Sequence, residues 1–354
     1  MKINIKQGIK IFILITVIAS TLILILTVSK DTWEHLKSIK PIYFLLTLIA
    51  LLFYYYLDGV RVKYLAKGLG YNISVFTGVE VVVSGIFLAA ITPFQTGGYP
   101  VQVYYLKKNG IPYGEGTLIL FMRGILAVIF HIVALPFIFL TYSYLLKNNV
   151  VEWIIKYIII FYPLLLIVSI IIYFLPEKFL NFLENLDNRF FSKNKSGKSP
   201  IKRFSDFVKR EINYFKDGLK YYFKKRKTLL FILLFLTFFS YTIFFSIAVL
   251  ILFGLGVKVT HPLAVANLQF LHNFLVYFMP TPGASGIAET VFAILFKDIC
   301  PKEILGIYAI IWRFFTFTIG AFIGGILTLK IVQKTGKSIE QIIDESPGEN
   351  KVEK

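Results

Sequence analysis

Cysteine occurs once in the 354 residues, at Cys300. A lone thiol excludes a disulfide framework and a thiolate metal site, and Cys300 reads as a small residue at a loop edge. Histidine is nearly as scarce, with four copies, and no H-E-x-x-H, P-loop or nucleophile–base set is present. No catalytic residue, metal or cofactor is therefore expected. Charge of either sign is thin at 16%, against about a quarter in ordinary soluble domains. Acidic charge is the thinner of the two: 20 Asp and Glu face 38 Lys and Arg, for a net charge of +18. Such a balance can signal nucleic acid. Here the basic residues flank apolar runs, so anionic lipid head groups are the expected partner and nucleic acid is not.

What is present is apolar: 56% of residues are hydrophobic, 36 of them Phe, and the mean hydropathy is +0.71. A helix needs about 20 apolar residues to cross a bilayer, and the candidates are 9–28, 41–57, 74–92, 117–140, 154–175, 228–253, 262–279, 284–296 and 304–331. The first follows Lys2, Lys6 and Lys10 and is too long for a secretion signal, so it is expected to stay attached as a helix. Tyr54, Tyr55 and Tyr56 read as an interfacial aromatic belt, and Asp58 with Arg61 as an interfacial pair at a helix end.

Basic loops orient these segments. Residues 177–227 carry 15 Lys and Arg against 6 Asp and Glu, which places them in the cytoplasm. Within them Phe204, Val208, Phe215, Leu219 and Tyr222 recur near helical spacing among Lys202, Lys209, Lys216 and Lys220, an amphipathic pattern suited to a membrane surface. The N-terminus, the loop holding Arg61, Lys63 and Lys67, and Lys107-Lys108 read as cytoplasmic too. Segment 74–92 then has cytoplasmic loops on both sides. It is expected to enter as a re-entrant hairpin over 74–106 that turns at 92–98. A second hairpin over 262–297, turning at 280–286, is expected to enter from the opposite side.

An internal repeat points the same way. Thr92-Pro93-x-x-Thr96-Gly97 matches Thr281-Pro282-x-x-Ser285-Gly286, with Arg123 and Arg313 lying 31 and 32 residues after the two threonines. Inverted halves with broken helices are the architecture of alternating-access transporters. Freed backbone at such breaks must be buried in protein or line a wet cavity, and helix N-termini after Gly98 and Gly286 would carry partial positive charge. The candidate substrate-binding set is Thr92, Gln95, Thr96, Gly97, Gly98, Gln102, Arg123, Thr281, Pro282, Gly283, Ser285, Gly286, Glu289 and Arg313. An arginine's fork suits phosphate. Glu289 reads equally as an ion-pair partner of Arg313, and close packing of small residues is the plainer reading of both turns. His131 and His272 read as buried, hydrogen-bonded histidines ahead of proton relays.

The run Pro93 to Lys108, with Pro280-Thr281-Pro282-Gly283-Ala284-Ser285-Gly286-x-x-Glu289 and Trp312-Arg313, resembles the lysylphosphatidylglycerol synthase transmembrane-region family of flippase-like proteins over residues 10–330. Two-domain members resemble a lipid flippase fused to a soluble lysyltransferase. The chain continues about 25 residues past its last predicted helix, and that transferase domain is not expected. Many members carry a Gly-Glu in the first motif. Tyr99 stands at the acidic position here, which leaves Arg123 without an assigned counter-charge.

Together these readings give an all-α polytopic bundle of about 6 full spans plus 2 oppositely inserted re-entrant hairpins, over residues 1–334, with a polar tail at 335–354. The expected function is movement of an anionic phospholipid or polyprenyl-linked lipid between leaflets of a prokaryotic plasma membrane, both termini being cytoplasmic. The alternatives are a membrane component of lysylphosphatidylglycerol synthesis working with a separate lipid-modifying enzyme, and a non-transporting scaffold. Oligomeric state is not assigned.

Overall fold

The computed structural model describes residues 37–95, 97–142, 200–276 and 279–335, with scattered single positions in 14–32 and 156–164. The greater part of the candidate segments 9–28 and 154–175, and the tail beyond 335, lie outside the described residues. Among those described, the chain is helical throughout, with no strand. The helices are α1 Pro41–Gly68, α2 Val75–Ile91, α3 Gly98–Lys108, α4 Tyr113–Tyr142, α5 Pro200–Lys225, α6 Lys227–Gly254, α7 Pro262–Val276, α8 Ile287–Phe296, α9 Lys302–Arg313 and α10 Ile319–Thr335.

Local signals set most of these boundaries. Proline opens α1 and α7, where its missing N–H costs nothing. Ser74 caps α2 by accepting the Thr77 amide at 2.9 Å. At the ends of α1 and α6, Gly70 and Gly256 take positive φ, and Tyr71 and Val257 donate back to Ala66 and Leu252 at 3.1 and 3.0 Å. These closures satisfy carbonyls that a lipid environment would leave unpaired.

Among the described residues, four helices are long and apolar enough to cross a membrane: α1, the stretch Tyr113–Ala134 of α4, α6, and the continuous α9–α10 stretch Lys302–Lys330. The chain is thus a multi-pass helical membrane protein. The remaining apolar helices are short. α2 and α7 have 17 and 15 residues, roughly 26 and 22 Å at 1.5 Å per residue, and α3 and α8 only 11 and 10. None reaches the roughly 30 Å of a hydrocarbon core alone.

α1 runs eleven residues past the predicted end at 57, and this corrects two readings. Asp58 and Arg61 are 0% and 1% exposed inside the helix, not an interfacial pair. Tyr55 is likewise buried, while Tyr56 stays 46% exposed. Hydropathy falls at these charges, but an i, i+3 ion pair at 2.8 Å neutralises them within one turn and the helix continues.

α1 and α6 pack along each other at the centre. α2 lies between α1 and α10, and each contact brings backbone against backbone: a methyl group on Gly78 would collide with the Gly59 carbonyl oxygen, and one on Gly324 with that of Val83. α5 packs on α4 through Phe215 and Phe121, with ring centroids 5.3 Å apart, and through a 2.6 Å bond from the Gly114 amide to Glu211. Tyr222, fully buried, donates to the Leu65 carbonyl of α1. The apolar stripe of α5 therefore faces protein at these positions, while Lys209, Lys220 and Lys224 to Lys227 are exposed. The side chains of Lys202, Phe204 and Val208 lie outside the described residues.

Candidate functional site

The two breaks in the helices meet. The turn Pro93–Gln95 packs against the turn Pro282–Ala284, and Gln95 Nε2 donates to the Val276 carbonyl at 3.2 Å. Both turns follow one backbone path. Phe94 and Gln95 have φ of 52° and 56°, and Gly283 and Ala284, at the matching places of the second motif, have 57° and 56°. Two consecutive left-handed residues are uncommon, and three of these four carry a side chain. The shared conformation is a second sign of the internal repeat, independent of the motif letters.

Beside the turns lies a cavity of about 340 Å³. Phe94, Gln95, Gly98, Tyr99 and Gln102 line it from the first half's turn and α3, and His272 and Asn273 from α7. Arg123 of α4 and Arg313 at the end of α9 both reach it, with Tyr54, Tyr55, Tyr241 and Trp312 among its walls. Among the described residues, no carboxylate lines it.

The counter-charges sit behind the wall. Arg123 grips Asp58 with two bonds, Nε to Oδ1 at 3.0 Å and Nη2 to Oδ2 at 2.5 Å. Arg61 binds the same carboxylate through Nη1 at 2.8 Å and donates from Nη2 to the Arg123 carbonyl at 3.2 Å. Two guanidinium groups thus share one carboxylate, and the cluster keeps a positive charge. Arg123 remains 23% exposed. In the second half Arg313 Nε lies 3.2 Å from Glu289 Oε1, and Arg313 also donates to the Gly283 carbonyl. Its guanidinium rests 4.0 Å from the Phe317 ring centroid. Phe317 belongs to a π-helical turn, Phe314–Thr318, that follows Arg313 directly; such turns are frequent at functional sites.

Of the predicted residues, the fold gathers Gln95, Gly98, Gln102, Arg123 and Arg313 at the cavity. Thr92 is fully buried instead, donating to the Leu88 carbonyl at 2.6 Å and accepting the Gly97 amide at 2.9 Å. Thr281 donates to the Ser285 carbonyl at 3.0 Å within its own turn. Pro282, Gly283, Ser285 and Gly286 build the second turn and are not lining residues. The N-terminus of α8 is taken by the chain's own Glu289, whose Oε2 accepts the Gly286 amide at 2.8 Å. Thr96 lies outside the described residues.

Asp58, Tyr55, Tyr99, Asn273 and Trp312 stand outside the candidate binding set read from the sequence. Asp58 had one visible signal, an acid and a base three apart inside an apolar run. His131 is buried with Nδ1 2.6 Å from the Ala127 carbonyl, and His272 with Nε2 2.8 Å from that of Ala288.

The family described as "Lysylphosphatidylglycerol synthase TM region" matches residues 11–324. A UPF0104 membrane protein of Archaeoglobus fulgidus is 27% identical over 328 residues, covering 89% of this chain and 94% of that protein. No solved structure matches.

Proposed function

The chain belongs to the lysylphosphatidylglycerol synthase transmembrane-region family, and from that premise we propose that it moves an anionic lipid between leaflets, with the phosphate held between Arg123 and Arg313. One observation carries this reading: one cavity takes an arginine from each half and, among the described residues, no carboxylate. An arginine in a membrane protein costs about 2.5–3.5 kcal/mol at mid-bilayer on insertion scales. Two of them facing a shared space give that space a reason to hold an anion. Asp58 and Glu289 keep both side chains tolerable when the cavity is empty, and phosphate oxygens can take up the remaining guanidinium donors.

The hairpins over 74–106 and 262–297 are re-entrant in this reading and enter from opposite sides, because their helices are too short to span and their broken turns meet. The protein sits in a prokaryotic plasma membrane, with both termini and α5 on the cytoplasmic side. The exposed lysines of α5 lie on the anionic leaflet, worth about 1 kcal/mol each near the surface.

Reconstitution in liposomes tests the reading. Acyl-labelled anionic lipid should become accessible to external dithionite faster than its zwitterionic counterpart. Replacing both members of the buried pair, Arg313→Ala with Glu289→Gln, should abolish the difference while unfolding at a similar temperature in detergent, since no charge is left stranded. No exchange of either lipid, with and without an ion gradient, would leave the scaffold as the better description.

A further inference from the structure

The second half's wall holds two buried polar atoms without hydrogen-bond partners among the described residues, His272 Nδ1 and Trp312 Nε1; beside them Arg313 Nε faces Glu289 Oε1 at 3.2 Å without making a hydrogen bond. His272 and Trp312 are 1% and 4% exposed, both line the cavity, and their rings meet edge to face at 4.4 Å. These atoms differ in kind. The indole N–H and the guanidinium only donate. His272 Nε2 lies against the Ala288 carbonyl at 2.8 Å, so it carries the ring proton and leaves Nδ1 as an acceptor. A phosphate offers acceptors alone. It can satisfy Trp312 and Arg313, but it leaves His272 Nδ1 unpaired once a bound head group displaces water from it, which is costly.

A ligand completing this wall therefore needs a hydrogen-bond donor close to its phosphate. Ammonium and hydroxyl groups both donate. The ammonium is disfavoured, since Arg313 stands beside His272 on the same wall and no carboxylate among the described residues faces the cavity. Gln102 and Asn273 add amides that present a donor and an acceptor together, the pairing a hydroxyl group needs.

We infer that the head group taken by this cavity is a neutral polyol or sugar esterified to phosphate, and that His272 accepts a hydrogen bond from one of its hydroxyls. The inference rests on the anionic-lipid reading of the same cavity and narrows it. It also sets the substrate apart from aminoacylated, cationic head groups.

The probes are three short-chain lipids with one backbone. Phosphatidylglycerol has the phosphate and the hydroxyls, phosphatidylpropanol the phosphate alone, and phosphatidylethanolamine an ammonium. Bound populations are read by competition on the detergent-purified full chain with native mass spectrometry, and exchange rates are read in liposomes. Phosphatidylglycerol should be bound at least about tenfold over either rival, because sites built to bond a hydroxyl reject analogues lacking it. His272→Phe should bring the ratio to phosphatidylpropanol close to one. Equal binding of phosphatidylglycerol and phosphatidylpropanol by the native protein would overturn the inference whether or not the variant folds. So would preference for phosphatidylethanolamine. Selective binding without exchange would support the head-group assignment and sink transport, whereas unselective exchange would do the reverse.

Discussion

Asp58 answers for two guanidinium groups, and it does so from the interior of a helix. Removing a buried carboxylate from such a cluster leaves uncompensated charge, which typically costs about 3–5 kcal/mol. Asp58→Asn should approach that loss, seen as a lower denaturation midpoint in detergent. Glu289→Gln should cost less, because it strands only Arg313 and an amide oxygen can still accept the Gly286 N–H. The reverse ranking would mean that Asp58 does not hold both arginines. The same residues mark how far side-chain roles can be read from sequence. Glu289 and Arg313 stand out as charges near one motif. The link from Asp58 to Arg123 crosses 65 positions, and it emerges only once α1 is known to continue beyond residue 57.

Among the elements, the two turns carry their own test. A left-handed residue with a side chain costs about 1–2 kcal/mol relative to its right-handed form, and glycine escapes most of that. Gly283 stands where the first half has Phe94. Gly283→Ala should therefore lower stability by about 1 kcal/mol, while Phe94→Gly should leave it unchanged or raise it, both read from denaturation curves. Gly324→Ala should be more damaging than either, because its methyl meets the rigid backbone of α2 at Val83. The helix breaks were legible from Thr-Pro and Gly-Gly signals, and so were the long apolar helices. The cavity walls were not. Tyr55, Asn273 and Trp312 sit on helices whose apolar pattern gives no sign of which face turns inward, and that choice is made by packing between the halves. The π turn after Arg313 has no marker in its residues, Phe-Phe-Thr-Phe-Thr.

At the scale of the whole molecule, the arrangement in the membrane is the proposal most easily put at risk. Asn72 and Lys258 are exposed in the loops after α1 and α6, and Cys300 is buried. In right-side-out vesicles an impermeant maleimide should label Lys258→Cys and spare Asn72→Cys until the membrane is opened. Equal labelling of both before permeabilisation would rule out the inverted arrangement. Neutralising Lys209, Lys220 and Lys224 together should slow exchange in anionic vesicles and leave it unchanged in neutral ones, if α5 acts through the leaflet surface.

The paired left-handed turns also speak to ancestry. Phe94-Gln95 and Gly283-Ala284 share no residue yet follow one path, so the course of the backbone has outlasted the side chains that first favoured it. Duplication of a half-length gene, whose product could insert either way round, leaves such a trace. The neutralising acids now sit in different places: Asp58 on the opening helix of one half, Glu289 in the hairpin of the other. On that account Arg123, Arg313 and the acid beside the motif belong to the shared plan, and Asp58 stands in for the acid that Tyr99 displaces.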